Sequence, residues 1–276
     1  MPSCRPVVCG SIAGRPGRFG VAMHTAAYRA LGLDYVYVAF GTEDTAGAMA
    51  AMRALGIRGL GVTMPHKLRI AAFLDALTDE ARAIGAVNTV VNDDGRLTGH
   101  NVDWIGALRA FREVFEPAGR TAAVVGAGGG ARAIAWGLKH AGCTVSVFNR
   151  NEAAGRALAL QMGGEFAGAP AALATMPETT QPFDLIAHAT PVGFHDPTSS
   201  LIPPTALRPQ TIVFDAVPMP IRTKLLCDAE AAGCRTIPGL RMQLHQAACQ
   251  FELYTGRTPD LAILERALCT AMAETT

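Results

Sequence analysis

Two polar residues in the first half of the chain could exchange a proton with a substrate hydroxyl. Lys67 follows an apolar run that ends at Thr63, and Asp103 opens a segment with helical spacing. A lysine whose pKa is lowered by burial can accept the proton, and a nearby aspartate raises that pKa again and orients the ammonium group. Arginine cannot take this role because it stays protonated in proteins. From composition alone, a solvated Lys67 and an Asp103 that only caps a helix are the alternative.

A glycine-rich turn in the second half has the pattern of a dinucleotide-binding loop. Gly126, Gly128 and Ala131 fit G-x-G-x-x-A, directly after an apolar strand and at the start of a helix. The first glycine permits the tight turn, the second lets N–H groups approach a pyrophosphate, and the alanine allows close packing of the helix. The helix N-terminus then attracts the anion. The pattern predicts dinucleotide binding, with a tight structural turn as the alternative.

The residues at the end of the next strand favour NADP over NAD. An NAD site usually carries an acid there to bind the ribose 2′-hydroxyl, whereas this chain has Asn149 and Arg150. Arg150 could pair with a 2′-phosphate. Glu152 lies close by and is the argument for NAD. A solvated arginine at a helix start is the other interpretation of Arg150.

The elements that must position these residues alternate between strand and helix, which predicts an α/β fold. Strands are predicted over residues 7–12, 35–40, 57–63, 87–91, 96–98, 121–125, 144–149, 185–189 and 211–216. Helices are predicted over residues 21–31, 42–56, 67–75, 79–84, 103–115, 152–162, 242–255 and 261–272, and from the glycine turn to 140. Asp93-Asp94-Gly95 predicts a hairpin turn, and Pro117-Ala118-Gly119 predicts a domain joint.

Composition excludes several functional classes. The chain has 276 residues, 50% of them hydrophobic and 17% charged, and its net charge is +1. These values argue against disorder and against nucleic-acid binding driven by positive charge. No apolar stretch approaches the ~20 residues of a membrane span, and no signal peptide is expected. Seven scattered cysteines without a C-x-x-C pair predict reduced thiols, no metal site and a cytoplasmic protein. The sequence does not define an oligomeric state.

Several motifs, taken in order, resemble the shikimate dehydrogenase family across nearly the whole chain. They are Gly61-Val62-Thr63-Met64-Pro65-His66-Lys67, Gly85-Ala86-Val87-Asn88-Thr89, Asn101-Val102-Asp103, Gly126-Ala127-Gly128-Gly129, Asn149-Arg150, Ala189-Thr190-Pro191-Val192-Gly193, and Gly239-Leu240-Arg241-Met242 followed by Gln246. The resemblance implies an N-terminal α/β substrate domain, residues 1–103 plus 240–276, and a Rossmann-type NADP domain, residues 104–239, separated by a cleft. It also implies reversible, NADP-dependent reduction of 3-dehydroshikimate to shikimate by hydride transfer.

The resemblance also assigns roles to individual residues. Lys67 and Asp103 correspond to the catalytic pair. Contacts with the substrate correspond to Thr63, Asn88 and Gln246, and Asn101 lies beside the same site. Cofactor contacts correspond to Gly126, Ala127, Gly128, Gly129, Asn149, Arg150, Thr190 and Gly239. A site that pairs neutral donors and acceptors with hydroxyls rejects analogues that lack them.

The chain departs from the family pattern at the loop that holds the substrate carboxylate. The family's S-x-S-P reads Arg18-Phe19-Gly20-Val21 here, so both serine hydroxyls are absent. Three further departures are Gly61 for asparagine, His188 for the asparagine of N-A-T, and Pro218 for the tyrosine of D-x-x-Y. The loop resembles a divergent shikimate dehydrogenase-like branch of the family.

These departures leave the substrate open. Arg18 or Arg15 could bind a carboxylate bidentately, or both could be surface residues. The alternative activities are oxidation of quinate or another hydroxy acid, and a weakly catalytic NADP-binding regulator on the same fold. Among the histidines, His24 is interpreted as a packing or hydrogen-bonded residue rather than a catalytic one, while His66 either tunes Lys67 or is solvated.

Overall fold

A computed structural model describes residues 5–176, 183–194 and 196–274 of the chain. It forms two compact units: the first contains the residues up to Val102 and from Leu244 onward, and the second is Asp103–Gln243. The predicted joint at residues 117–119 is wrong. That break lies inside the second unit, where the Gly119 N–H donates to the Gly142 carbonyl and closes a turn between neighbouring loops.

The first unit is built on a mixed six-stranded sheet. Its elements are β1 Val7–Ala13, α1 Phe19–Ala30, β2 Tyr35–Gly41, α2 Thr45–Ala54, β3 Gly59–Val62, β4 Ala76–Leu77, α3 Asp79–Ile84, β5 Thr89–Asp93 and β6 Arg96–His100. The strand order is β2-β1-β3-β5-β6-β4. The pairs of β1 with β2 and β3 are parallel, and β5 runs antiparallel to both β3 and β6. Two helices complete the chain: α8 Gly239–Thr255, which begins in the second unit and continues into the first, and α9 Leu261–Ala273.

Local sequence signals explain where these elements begin and end. The Asp44 side chain accepts from the Gly47 N–H and caps α2, and Thr78 does the same for α3 through the Ala81 N–H. Asp94 and Gly95 both have positive φ, as the predicted hairpin turn between β5 and β6 requires. The core of this unit includes Ile12, Leu60 and Val90 from the sheet.

The second unit is an open parallel sheet with helices. Its elements are α4 Asp103–Arg112, β7 Thr121–Val125, α5 Gly129–His140, β8 Thr144–Phe148, α6 Glu152–Met162, β9 Glu165–Gly168, β10 Leu185–His188, β11 Ile212–Asp215, α7 Lys224–Ala231 and β12 Arg235–Pro238. The order is β12-β11-β10-β7-β8-β9, and every adjacent pair is parallel. This is the Rossmann-type arrangement, which confirms the predicted α/β fold class.

The differences from the predicted elements have local causes. The three strands that were missed, β4, β9 and β12, are short and lie at sheet edges, where apolar alternation is weak. Helix α7 was also missed, although Thr223 caps it by accepting from the Leu226 N–H. The predicted helix over 67–75 is wrong, since turns lead into a single 3₁₀ segment at Ile70–Phe73.

The described helices include none that is both long and apolar enough to cross a membrane.

Candidate active site

The loop that carries Lys67 is held by the side chain before it. His66 is fully buried, and its Nε2 lies 2.9 Å from the Thr42 carbonyl while its Nδ1 lies 2.7 Å from the Thr45 hydroxyl. A carbonyl can only accept, so Nε2 carries the proton and Nδ1 accepts from Thr45 in the neutral ring. His66 is therefore not solvated, and it anchors the loop to the residues at the start of α2.

Lys67 itself lies in a turn rather than at a helix start. Its carbonyl accepts from the Val87 N–H at 2.9 Å, which ties the loop to the residue before Asn88 and takes that carbonyl out of any helical ladder. The Lys67 side chain is half-buried, and Thr63 at the end of β3 is exposed. The structure thus brings the end of β3 and the start of β5 together around Lys67, Thr63 and Asn88.

Asn88 makes several hydrogen bonds in this region. It is fully buried, and its Oδ1 accepts from the Val102 N–H at 2.7 Å and from the Thr89 hydroxyl at 2.9 Å. Its backbone carbonyl accepts from the Val62 N–H at 2.7 Å and from the Gln250 Nε2 at 3.3 Å. These bonds fix the side-chain orientation of Asn88 in the loop before β5.

Helix α8 presents two glutamines to the same region. Gln250 is buried and donates to the Thr89 hydroxyl at 3.0 Å as well as to Asn88. Gln246 lies one turn earlier and half-buried, on the same helical face. Sequence reasoning selected Gln246 and missed Gln250, although the spacing of four residues on one helix was visible.

Asn101 and Asp103 flank the division between the units. Asn101 is buried and donates from Nδ2 to the Ala86 carbonyl at 2.9 Å. Asp103 is also buried and is the first residue of α4, where the helix dipole favours a negative charge.

The arginine predicted as a carboxylate clamp contacts a helix end instead. The Arg18 Nη2 and Nε donate to the Ala271 carbonyl at 2.5 and 3.1 Å, and Nη2 lies 3.6 Å from the Glu274 carboxylate. A cation at the C-terminal end of α9 is favourable for the helix dipole. These contacts support the structural interpretation of Arg18 over the substrate-binding one.

The glycine turn after β7 has the geometry that an anion-binding loop needs. Gly126 has φ of +126°, and a Cβ there would lie 2.8 Å from the Ala189 carbonyl oxygen, so a larger residue does not fit. Gly128 is the N-cap of α5, and a Cβ there would meet open space. The open space at Gly128, between Ala127 and Gly129, therefore leaves the helix N-terminus accessible to a phosphate group.

The end of β8 carries an exposed arginine beside two asparagines that make local hydrogen bonds. The Asn149 Nδ2 donates to the Asn151 carbonyl at 2.8 Å, and Asn151 caps α6 through the Ala154 N–H. The Glu152 carboxylate accepts from the Arg156 Nε at 2.7 Å. Arg150 is exposed, and the described residues provide no acceptor to its guanidinium. Glu152 is thus paired with Arg156, whereas the Arg150 side chain is exposed to solvent.

The ends of β10, β11 and β12 complete this edge of the parallel sheet. Thr190 follows β10 and lies next to the glycine turn, since a Cβ added at Gly126 would be only 3.1 Å from the Thr190 methyl carbon. Gly239 follows β12, where a Cβ would lie 2.6 Å from the Asp215 carbonyl oxygen. His188 is buried and bonded to Asp215 and Thr190, a network that sequence reasoning noted only as a departure from the family pattern.

The parallel sheet, the glycine turn and the exposed Arg150 define a Rossmann-type α/β protein. Comparisons with known proteins assign its family. The family models described as the shikimate dehydrogenase substrate binding domain and the shikimate 5′-dehydrogenase C-terminal domain match residues 19–90 and 239–269. Shikimate dehydrogenase (NADP(+)) of Moorella thermoacetica is 42% identical over 261 residues, which cover 91% of this chain and 88% of that protein. The chain belongs to the shikimate dehydrogenase family, as the resemblance predicted.

Solved structures agree with this assignment. Shikimate 5-dehydrogenase from Thermus thermophilus, in complex with NADP(H) and shikimate, is 34% identical with a TM-score of 0.86, and the match covers 96% of this chain and 99% of that one. The 5-ketofructose reductase of a Gluconobacter species is 32% identical with a TM-score of 0.84, covering 97% of this chain and 99% of that one.

Proposed function

We propose that this protein is an NADP-dependent oxidoreductase that interconverts shikimate, or a similar cyclic polyhydroxy acid, and its 3-dehydro ketone. One observation carries the proposal: a relative that is 42% identical across 91% of the chain is named shikimate dehydrogenase (NADP(+)). Residues 1–103 plus 240–276 would hold the substrate and residues 104–239 the cofactor.

The residues of the second unit fit NADP. The open space at Gly128 and the N-terminus of α5 suit the pyrophosphate, and the accessible guanidinium of Arg150 suits the 2′-phosphate. Asn149, Thr190 and Gly239 lie along the same carboxyl edge of the sheet. When bound, NADP accepts or supplies the hydride.

The proton is handled by residues of this chain. Lys67 Nζ takes the proton from the substrate hydroxyl during oxidation and returns it during reduction, and it stabilises the negative charge that develops on the oxygen. Asp103 orients the Lys67 ammonium group. The two residues belong to different units, and their pairing is part of the proposal.

Neutral polar groups hold the substrate hydroxyls. Thr63 and Gln246 each offer a donor and an acceptor, and the amides of Asn88 and Asn101 are prepositioned by their bonds to Val102 and Ala86. Such a preorganised set favours a ligand with several hydroxyls over deoxy analogues.

The six cysteines in the described residues are free thiols, which supports a reducing, cytoplasmic location.

A second candidate substrate class is suggested by Arg18, which precedes α1, and by Gly20 in the first turn of that helix. Arg18 is engaged by α9, and Gly20 has no hydroxyl to offer a carboxylate. The similarity to 5-ketofructose reductase supports a different hydroxyl-bearing substrate, with quinate and other hydroxy acids in the same group.

The test is a panel of polyhydroxy acids and sugars incubated with the purified protein and NADP, with NADPH formation followed by absorbance. Shikimate as the best substrate supports the first proposal, and preference for another compound supports the second candidate. Binding of NADP without turnover of any compound would reject both and favour a regulator.

A further inference from the structure

A buried chain of hydrogen bonds links the ends of β10 and β11. The Asp215 Oδ2 accepts from the Thr223 hydroxyl at 2.6 Å, and the Asp215 Oδ1 lies 2.9 Å from the His188 Nδ1. On the other side of the ring, the His188 Nε2 lies 2.6 Å from the Thr190 hydroxyl oxygen. Asp215 and His188 are 1% and 2% exposed, so water does not compete for these bonds.

The acceptors in this series of hydrogen bonds determine where each proton lies. The Asp215 carboxylate only accepts, and its Oδ1 also accepts from the Val217 N–H at 3.1 Å, so the His188 Nδ1 carries the ring proton. In a ring that carries this one proton, Nε2 accepts from the Thr190 hydroxyl. The Thr190 oxygen also accepts from the Val192 N–H at 3.2 Å. Its proton points inward, and its remaining lone pair is available to a ligand.

Thr190 lies where the bound dinucleotide would cross the sheet. The strand order places β10 and β8 on opposite sides of β7 and its glycine turn. Arg150 at the end of β8 marks the side of the 2′-phosphate and hence of the adenosine half. The nicotinamide half then lies over β10, beside Thr190, at the point where strand order reverses. Thr190 is half-buried, so its oxygen can reach a ligand.

We propose that His188 is a positioning residue that makes the Thr190 hydroxyl a fixed hydrogen-bond acceptor for a donor on the nicotinamide half of the cofactor. That donor is a ribose hydroxyl or the carboxamide N–H, and a phosphate oxygen at this place would be repelled. The inference rests on the proposed function, because it takes NADP as the ligand.

The Asp215→Asn variant tests the proton arrangement at nearly constant shape. An amide at position 215 whose Nδ2 replaces Oδ1 donates to the His188 Nδ1, which moves the ring proton to Nε2 and turns the Thr190 proton outward. The Val217 N–H loses its acceptor in this orientation, and the ¹⁵N spectrum of the variant shows whether the orientation is adopted. The proposal predicts about a tenfold rise in the Kd for NADPH, measured by fluorescence. Histidine ¹⁵N spectra should show the His188 proton on Nδ1 in the native protein and on Nε2 in the variant. A native ring protonated at Nε2 would overturn the proposal.

A double-mutant cycle separates positioning from damage to the fold. In a Thr190→Val background, Asp215→Asn should cause no further loss of NADPH affinity, whereas an equal loss would mean that the pair is only structural. Thr190→Ser should keep native affinity. The matched control is Asp184→Asn, because Asp184 accepts from Thr121 and Arg120 at the opposite end of β10. It should leave NADPH affinity unchanged.

Cofactor analogues identify the donor. If the donor is the carboxamide, the affinity for the 3-acetylpyridine analogue of NADP, which lacks the amide N–H, should not respond to Asp215→Asn. If the donor is a ribose hydroxyl, that affinity should fall as it does for NADPH. An equal fall for 2′,5′-ADP, which has no nicotinamide half, would overturn the proposal. Failure of the native protein to bind NADPH would reject the proposed function instead.

Discussion

The side-chain oxygen of Asn88 accepts a hydrogen bond from the backbone N–H of Val102 at 2.7 Å. This bond fixes the residue just before Asp103 to the start of β5, where the Thr89 hydroxyl donates to the same oxygen. A proposed substrate contact is therefore also a structural joint, and substitutions at Asn88 should affect stability and turnover together.

Replacing Asn88 with alanine should lower the free energy of unfolding by about 1–3 kcal/mol, because the buried Val102 N–H loses its acceptor. The value can be measured by urea denaturation. Asn88→Asp keeps an acceptor for the Val102 N–H but buries a carboxylate, so it should lose at least as much stability as the alanine variant, and it should also lower turnover by adding a charge beside the proposed substrate. Equal stability of the alanine variant and the native protein would contradict this account.

Replacing Lys67 with alanine should lower kcat by about 10²–10⁴-fold, since proton transfer to a positioned side chain contributes that much. The Kd for NADPH should stay within about twofold of the native value, because Lys67 is assigned to the proton and not to the cofactor. Lys139 is the matched control, because it lies exposed near the C-terminal end of α5 and donates to the Gly163 carbonyl. Its alanine variant should turn over normally, and native turnover by the Lys67 variant would reject the proton-transfer role.

Replacing Arg150 with alanine should raise the Kd for NADPH by about 10–100-fold and leave that for NADH unchanged, because a charge-assisted bond to the 2′-phosphate is lost. Fluorescence titration measures both constants. Arg156 is the control, since its guanidinium is bound to Glu152 and lies 5.0 Å from the Phe166 ring centroid. Equal losses for both cofactors would argue against a phosphate contact.

Introducing a hydroxyl by Gly20→Ser should improve the KM for shikimate if the missing serine limits carboxylate binding. A Cβ at this position would lie 3.4 Å from the Tyr37 hydroxyl oxygen, which is ordinary contact, so the change fits without strain. Arg18→Lys is the contrasting variant, because it adds no hydroxyl but loses the two-nitrogen contact with the Ala271 carbonyl, and it should lower thermal stability without improving the KM. An unchanged KM in Gly20→Ser would place the specificity elsewhere, for example at Pro218.

Stability should fall in mild acid because of His24. This residue is fully buried and stacked on Tyr37, with ring centroids 4.3 Å apart, as its interpretation as a packing residue predicted. Burial lowers its pKa to about 3 from 6.5. The unfolded chain therefore binds one more proton between these values. The buried, neutral His24 costs no stability above about pH 6.5. Between that pH and about pH 3, the free energy of unfolding falls by about 1.4 kcal/mol for each pH unit.

Urea denaturation between about pH 7 and pH 5 measures this slope. His24→Phe keeps the stacked ring without the titrating group and should flatten the profile by one proton. His140→Phe is the matched control, because His140 is exposed and also stacked, on Trp136. An unchanged slope in His24→Phe would contradict the assignment.

Patterns along the chain were enough to predict the α/β class, most element positions, the glycine turn and the family. These features depend on apolar periodicity, on caps such as Asp44, and on glycines at positive φ such as Gly126. Their physical cause lies within a few residues along the chain, so neighbouring residues reveal them. The edge strands β4, β9 and β12 escaped because few of their residues are buried.

The contacts of the polar side chains, in contrast, emerged only from the folded structure. Arg18 meets a carbonyl 253 residues away, and Gln250 reaches Thr89 across 161 residues. Both ring nitrogens of His66 and of His188 proved to be bonded, because each ring lies between groups that the fold brings together. A hydrogen bond of this kind requires two atoms from distant segments to lie at the right separation to within a few tenths of an ångström. Residue spacing along the chain does not reveal such a separation.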